Sequence, residues 1–140
     1  MNTKLKTLKD QVIVITGASS GIGLTTAEMA AERGAAVVLA ARSDNDLANA
    51  VARIRSRGGR ATAVSADVTD EQQVEKIAQE AVREFGRIDT WVNNAGIGVY
   101  GRLTETPIDE KRRSFDTNFW SVVYGCRAAL RHMSTLLPYC

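Results

Sequence analysis

Short runs rich in β-branched and small apolar residues recur four times along the chain, separated by stretches whose apolar residues repeat at helical spacing. Residues 12–16 form the first run, closed by Gly17, and residues 35–40, 61–65 and 90–93 read as three further strands. A helix is expected over 21–33, with Leu24, Ala27 and Ala31 on one face and Gly34 as its stop. Ser43 or Asp44 can cap a second helix, in which Leu47, Ala50, Val51 and Ile54 repeat at i, i+3, i+4, i+7 until Gly58 and Gly59 end it. The third helix has the clearest stripe (Val74, Ile77, Ala78, Ala81, Val82 and Phe85), with Thr69 or Asp70 placed to cap it and Gly86 to stop it. From about Pro107 a long helical pattern carries Phe115, Phe119, Val122, Val123, Cys126 and Leu130, with Pro138 as its stop.

Strands joined by helices of this length pair in parallel, with right-handed crossovers that place helices on both faces of the sheet. The expected fold is therefore doubly wound α/β, with about four strands in the order 3-2-1-4. The 140 residues leave room for one domain, 1–140. A hydrophobic content of 44% with 24% charged residues is that of a folded chain. The net charge of +2 comes from scattered Lys and Arg, so neither nucleic acid nor a membrane surface is an expected partner. Cys126 and Cys140 make no disulfide framework and no metal-ligand spacing, and residues 1–16 hold no apolar stretch long enough for a signal or a span. A cytoplasmic location and no metal are expected.

Gly17, Ser19, Ser20, Gly21, Ile22 and Gly23 lie between the first strand and the first helix. A backbone turning tightly there presents N–H groups to a phosphate, glycine removes the Cβ from its path, and the helix N-terminus adds partial positive charge. This is where a Rossmann-type sheet holds a dinucleotide. The spacing is GxxxGxG; a literal GxGxxG at residues 96–101 reads as a decoy, because residues 102–106 show no helical stripe.

Residues 16–23, Asp67-Val68, residues 93–96 and Asn118 are ordered and spaced so that the chain resembles the short-chain dehydrogenases/reductases over about 9–133. The resemblance implies a Rossmann-fold oxidoreductase moving hydride between NAD(H) or NADP(H) and a small-molecule alcohol or carbonyl. It implies that Gly17, Ser19, Ser20, Gly21, Ile22 and Gly23 cradle ribose and pyrophosphate, and that Asp67 and Val68 meet the adenine. Asn94, Ala95 and Gly96 would lie against the nicotinamide-side ribose, with Asn93 holding the fourth strand to its neighbours. Asn118 matches the helix-borne Asn of the proton relay and could instead hold a kink in its helix.

At the end of the second strand an acid would bind a ribose 2′-OH, whereas Arg would pair with a 2′-phosphate. Arg42 stands there and no acid does, so NADP(H) is favoured over NAD(H); Asp44 lies beyond the strand in a cap position. The family's proton donor is a Tyr with a Lys four residues later, whose charge lowers the phenol pKa. Tyr100 is followed at that spacing by Thr104, Tyr124 by Ala128 and Tyr139 by no residue within the 140, so these 140 residues hold no Tyr-x-x-x-Lys. His132, the single histidine, is expected to face solvent.

Residues 134–140 depart from the family pattern, which implies truncation and impaired catalysis. An unpaired edge at the fourth strand and an exposed apolar helix face are the expected consequences, with association, such as homo-oligomer formation through the long helix, as the result. Two other readings stand beside the oxidoreductase: a non-catalytic dinucleotide-binding or interaction module, and a non-functional gene fragment.

Overall fold

A computed structural model describes residues 6–133, so the departing segment 134–140 and the helix stop expected at Pro138 lie outside the described residues. Strands β1 (Val12–Thr16), β2 (Ala36–Ala41), β3 (Arg60–Ser65) and β4 (Thr90–Val92) form a parallel sheet in the order β3-β2-β1-β4. Between and after them run α1 (Gly21–Glu32), α2 (Asp44–Ser56), α3 (Glu71–Phe85), α4 (Ile108–Phe115) and α5 (Ser121–His132). Strand and helix bounds agree with the sequence pattern to within about a residue except in the last third of the chain.

Successive strand residues point to opposite faces, and the core divides accordingly. Ile13, Ile15, Val37 and Leu39 pack with Ala27 of α1 and with Leu47 and Ile54 of α2. Val14, Val38 and Ala40 pack on the other face with Val74, Ile77 and Ala81 of α3 and with Ala128 of α5. Covered on both faces, β1 and β2 are buried along their whole length, which is why their sequence does not alternate.

Two helices are capped as their sequence implied. The Ser43 hydroxyl accepts from Asp46 N at 3.4 Å, and Asp70 accepts from Gln72 N at 2.8 Å and Gln73 N at 3.2 Å. The long helix expected from Pro107 runs over 108–132 with helical backbone angles at each junction, but its α-helical bonding is interrupted once. A π-helical turn, Asp116–Trp120, separates α4 from α5, and Asn118 within it is held by the backbone of Ile97. Beside the turn, the Ser121 hydroxyl donates to Thr117 O.

His132 does not simply face solvent. Because α5 lies over α3, its Nε2 stands 2.7 Å from Glu75 Oε1, and Arg131 Nη1 reaches Glu75 Oε2 at 3.2 Å. The His132 hydrogen bond, with help from its charge and from Arg131, outweighs burial and holds the Glu75 carboxyl below its ordinary pKa. Asn93 reaches a neighbouring helix. Its Oδ1 accepts from Trp91 Nε1 at 2.9 Å and its Nδ2 approaches Cys126 Sγ at 3.6 Å, so it ties β4 to α5. Among the described residues β4 pairs only with β1 and forms one edge of the sheet. Phe115 and Phe119 stack with centroids 4.9 Å apart, and both are about half exposed. No helix among the described residues is long and apolar enough to cross a membrane.

Candidate functional site

From β1 the chain winds outward through β2 to β3, then returns to place β4 on the opposite side of β1. Where strand order reverses, the loops leaving β1 and β4 diverge, and a crevice opens beyond their C-terminal ends. A cleft of about 560 Å³ lies there. Loops from all four strands reach it: Gly17, Ser19 and Ser20 after β1, Arg42 and Ser43 after β2, Asp67 and Val68 after β3, and Asn94, Ala95 and Gly96 after β4.

The structure thus gathers most of the residues that the sequence singled out. Gly21, Ile22 and Gly23 follow the lining residue Ser20 without lining the cleft themselves; Gly21 and Ile22 are exposed and Gly23 is buried. Gly17 and Gly21 have φ of +66° and +55°, a region that other L-residues rarely adopt. Gly23 serves close approach instead: a Cβ there would sit 2.4 Å from Gly17 O and 2.5 Å from Asn94 Nδ2. The N-cap of α1, Ser20, makes no side-chain cap bond and no acidic residue stands in the first turn. The N-terminal N–H groups of this helix therefore have no side-chain cap, unlike those of α2 and α3.

The second GxGxxG stretch has no such helix. Residues 102–107 intervene before α4 begins at Ile108, and Tyr100 is 96% exposed.

Thr16, the last residue of β1, holds the two loops together. Its hydroxyl oxygen accepts from Asn94 N and Ala95 N, both at 3.1 Å, and lies 3.4 Å from Val92 O. Asn94 Nδ2 in turn donates to Thr16 O at 3.0 Å and to Gly17 O at 3.2 Å. Thr16→Val keeps the shape but leaves two N–H groups without their acceptor, and should lower stability by about 1–2 kcal/mol. An unchanged urea midpoint would show that these bonds contribute nothing.

Asp67 Oδ1 accepts from Thr69 N at 2.9 Å and Thr69 Oγ1 at 2.8 Å. The Thr69 backbone bond is the main reason that its pKa lies below the ordinary value; burial opposes it, and the Thr69 hydroxyl and the nearby Arg42 charge assist. Its Oδ2 takes no hydrogen bond among the described residues, and Asp70, not Asp67, caps α3. The Arg42 guanidinium makes no ion pair or hydrogen bond among the described residues. Asp44, its competitor in the choice of cofactor, does not line the cleft.

Asn118 lies outside this cleft, against a second hollow beside Phe115 and Phe119. Its Oδ1 accepts from Ile97 N at 2.9 Å and its Nδ2 donates to Ile97 O at 2.8 Å, an arrangement that anchors the loop after β4 to the π turn. Both ends of the amide are thereby engaged.

Sequence reasoning missed Thr16 as the staple and missed α4 as a wall of the cleft. Asp109, Arg112, Arg113, Asp116 and Thr117 all line it. Their i, i+3, i+4, i+7, i+8 spacing is the sequence signal for this wall, and it is masked by the apolar stripe on the same segment. Among the described residues, no cluster of His, Cys, Asp or Glu could hold a metal ion.

Fold and cleft together define a Rossmann-like α/β unit with a glycine-rich loop at its switch point. The family described as short chain dehydrogenase matches residues 11–136, and the chain belongs to that family. An uncharacterized oxidoreductase of Bacillus subtilis, YxnA, is 54% identical over 129 residues, which cover 92% of this chain and 36% of that protein. The 3beta-hydroxysteroid dehydrogenase 1 of Eggerthella lenta is 40% identical over 126 residues, or 89% of this chain and 48% of that protein. Among solved structures, a short chain dehydrogenase/reductase from Burkholderia phymatum in complex with NAD superposes with a TM-score of 0.88 at 34% identity, covering 92% of this chain and 46% of that one. The chain thus spans about half or less of the length of these relatives.

Proposed function

We propose that the cleft binds NADP(H), and that the chain is the dinucleotide-binding part of an oxidoreductase acting on an alcohol or carbonyl. The observation that carries this reading is the N-terminus of α1. It has no side-chain cap, it is preceded by left-handed Gly17, and it stands at a cleft that Arg42 also borders. Helix N–H groups with no side-chain partner, a backbone without Cβ atoms and a free guanidinium fit a pyrophosphate and a ribose 2′-phosphate.

When bound, the nicotinamide supplies or accepts the hydride. The chain's own residues hold and orient the dinucleotide. Ser19, Ser20 and the backbone at Gly21, Ile22 and Gly23 face the pyrophosphate and its ribose. Asp67 Oδ2 accepts from the adenine amino group beside Val68, and Asn94, Ala95 and Gly96 border the ribose at the nicotinamide end. Asn118 fixes the loop that carries them. Since no Tyr-x-x-x-Lys occurs in these 140 residues, the chain alone should bind the cofactor without turnover. The exposed aromatic face around Phe115 and Phe119 suits contact with a second subunit.

Arg42 decides the choice of cofactor. Removing a charged hydrogen-bond partner of a phosphate costs about 1.5–3 kcal/mol, so Arg42→Ala should weaken NADPH binding by about 10- to 100-fold and leave NADH within a few-fold. Fluorescence titration with both cofactors tests it. Equal losses for both, or tighter binding of NADH by the unaltered chain, would remove the NADP assignment.

A further inference from the structure

We infer that Arg113 of α4 is a second cofactor-contacting cation, holding the adenosine end of the dinucleotide from a wall of the cleft that follows β4 rather than β2. This inference rests on the dinucleotide reading of the cleft and extends it to an element outside the four strand-end loops.

Three observations meet at Arg113. First, Asp109, Arg113 and Thr117 follow one another at i, i+4, i+8, and all three line the cleft, so one face of the α4 segment and the π turn is directed into it. Thr117 is only 8% exposed and lies deep, which leaves Arg113, one turn earlier, at the mouth. Second, Arg112, which also lines the cleft, has a partner in an exposed pair, its Nη1 standing 3.3 Å from Asp109 Oδ1. The Arg113 guanidinium has no ion pair or hydrogen bond among the described residues, the condition that Arg42 also meets.

Third, the surroundings select the kind of ligand. Asp67, Asp109 and Asp116 also line the cleft, so it is not a bare anion trap. Carboxylates beside a planar guanidinium suit a flat heteroaromatic ring carrying an amino group better than they suit an isolated phosphate. Arg is the side chain that lays a weakly hydrated plane on such a ring. The loop after β3, which supplies Asp67 and Val68 to the adenine, opens on the same cleft as this face of α4.

The test uses the 140-residue chain with NADPH and with 2′,5′-ADP, the phosphorylated adenosine fragment of the cofactor. Arg113→Ala should weaken both by about three- to tenfold, the size of a partly exposed cation–ring contact. Arg83→Ala, which removes an exposed cation of α3 that does not line the cleft, should change neither by more than about twofold. Arg113 is exposed on α4, so the ligand-free melting temperature should not move and a loss of binding can be read as lost contact. Unchanged affinity in Arg113→Ala, or equal losses in the two variants, overturns the inference while leaving the dinucleotide reading intact. If the unaltered chain binds neither NADPH nor 2′,5′-ADP, it is the dinucleotide reading that fails.

Discussion

Gly23→Ala should abolish dinucleotide binding and destabilise the fold by about 3 kcal/mol, a large effect for one methyl group. The reason lies in what the methyl would meet. Its carbon would fall 2.4 Å from Gly17 O, 2.9 Å from Gly17 C and 2.5 Å from Asn94 Nδ2. None of these neighbours is the free end of a flexible side chain. Two are backbone atoms of the glycine loop, and the third is held by Thr16 O and Gly17 O. Relief therefore requires α1 to move away from the loop, which carries its N-terminal N–H groups out of alignment with the cleft. Urea unfolding and NADPH titration of one preparation measure both parts, and a variant that binds with unaltered affinity would show that the loop is not the phosphate site.

Asp89→Ala should cost about 2–4 kcal/mol, although the residue lies far from the cleft. Asp89 immediately precedes β4, and its side chain is only 6% exposed. Its Oδ2 accepts from Val12 N at 2.8 Å and from Arg87 Nε at 2.8 Å, while Oδ1 pairs with Lys6. The backbone adds Asp89 N to Val12 O at 2.9 Å. This carboxylate locks the first residues of β1 and β4 together, as Thr16 and Asn94 lock their last ones. Burial pushes its pKa up, but the bonds from Lys6, Arg87 and Val12 N together outweigh burial and leave it below the ordinary value.

A carboxyl depressed in the folded state contributes stability that is present above its unfolded pKa, about pH 4, and is lost as pH falls through the folded value. Asp67 and Glu75 act in the same direction. Asp89→Asn retains an acceptor for Val12 N and removes the charge, so it should be less damaging than Ala and should flatten the acid limb of the stability curve. An acid limb identical to that of the unaltered chain would show that Asp89 carries no linkage.

How far the sequence could be read followed from where each signal was local. β1 and β2 were legible because burial on both faces requires unbroken apolar runs. The cleft was legible because Gly17, Asp67 and Asn94 each follow a strand directly, and strand ends meet at the switch point in this topology. The π turn at Asp116–Trp120 was not legible. Phe115, Phe119, Val122 and Cys126 keep a helical spacing whether or not one turn is widened, so periodicity carries no trace of it. His132 was misjudged because its partner, Glu75, stands on α3, and only the packing of α5 over α3 brings the two together. Thr16 ends a strand, and nothing in its neighbours announces that its hydroxyl accepts from a loop almost eighty residues away.

The cofactor reading meets its most direct test in calorimetric titration of the chain with NADPH, beside NADH and beside the Gly23→Ala variant. Saturation at one site per chain, tighter for NADPH than for NADH and absent in the variant, is the predicted result. No saturable heat with either dinucleotide, or an equal response from Gly23→Ala, would contradict it.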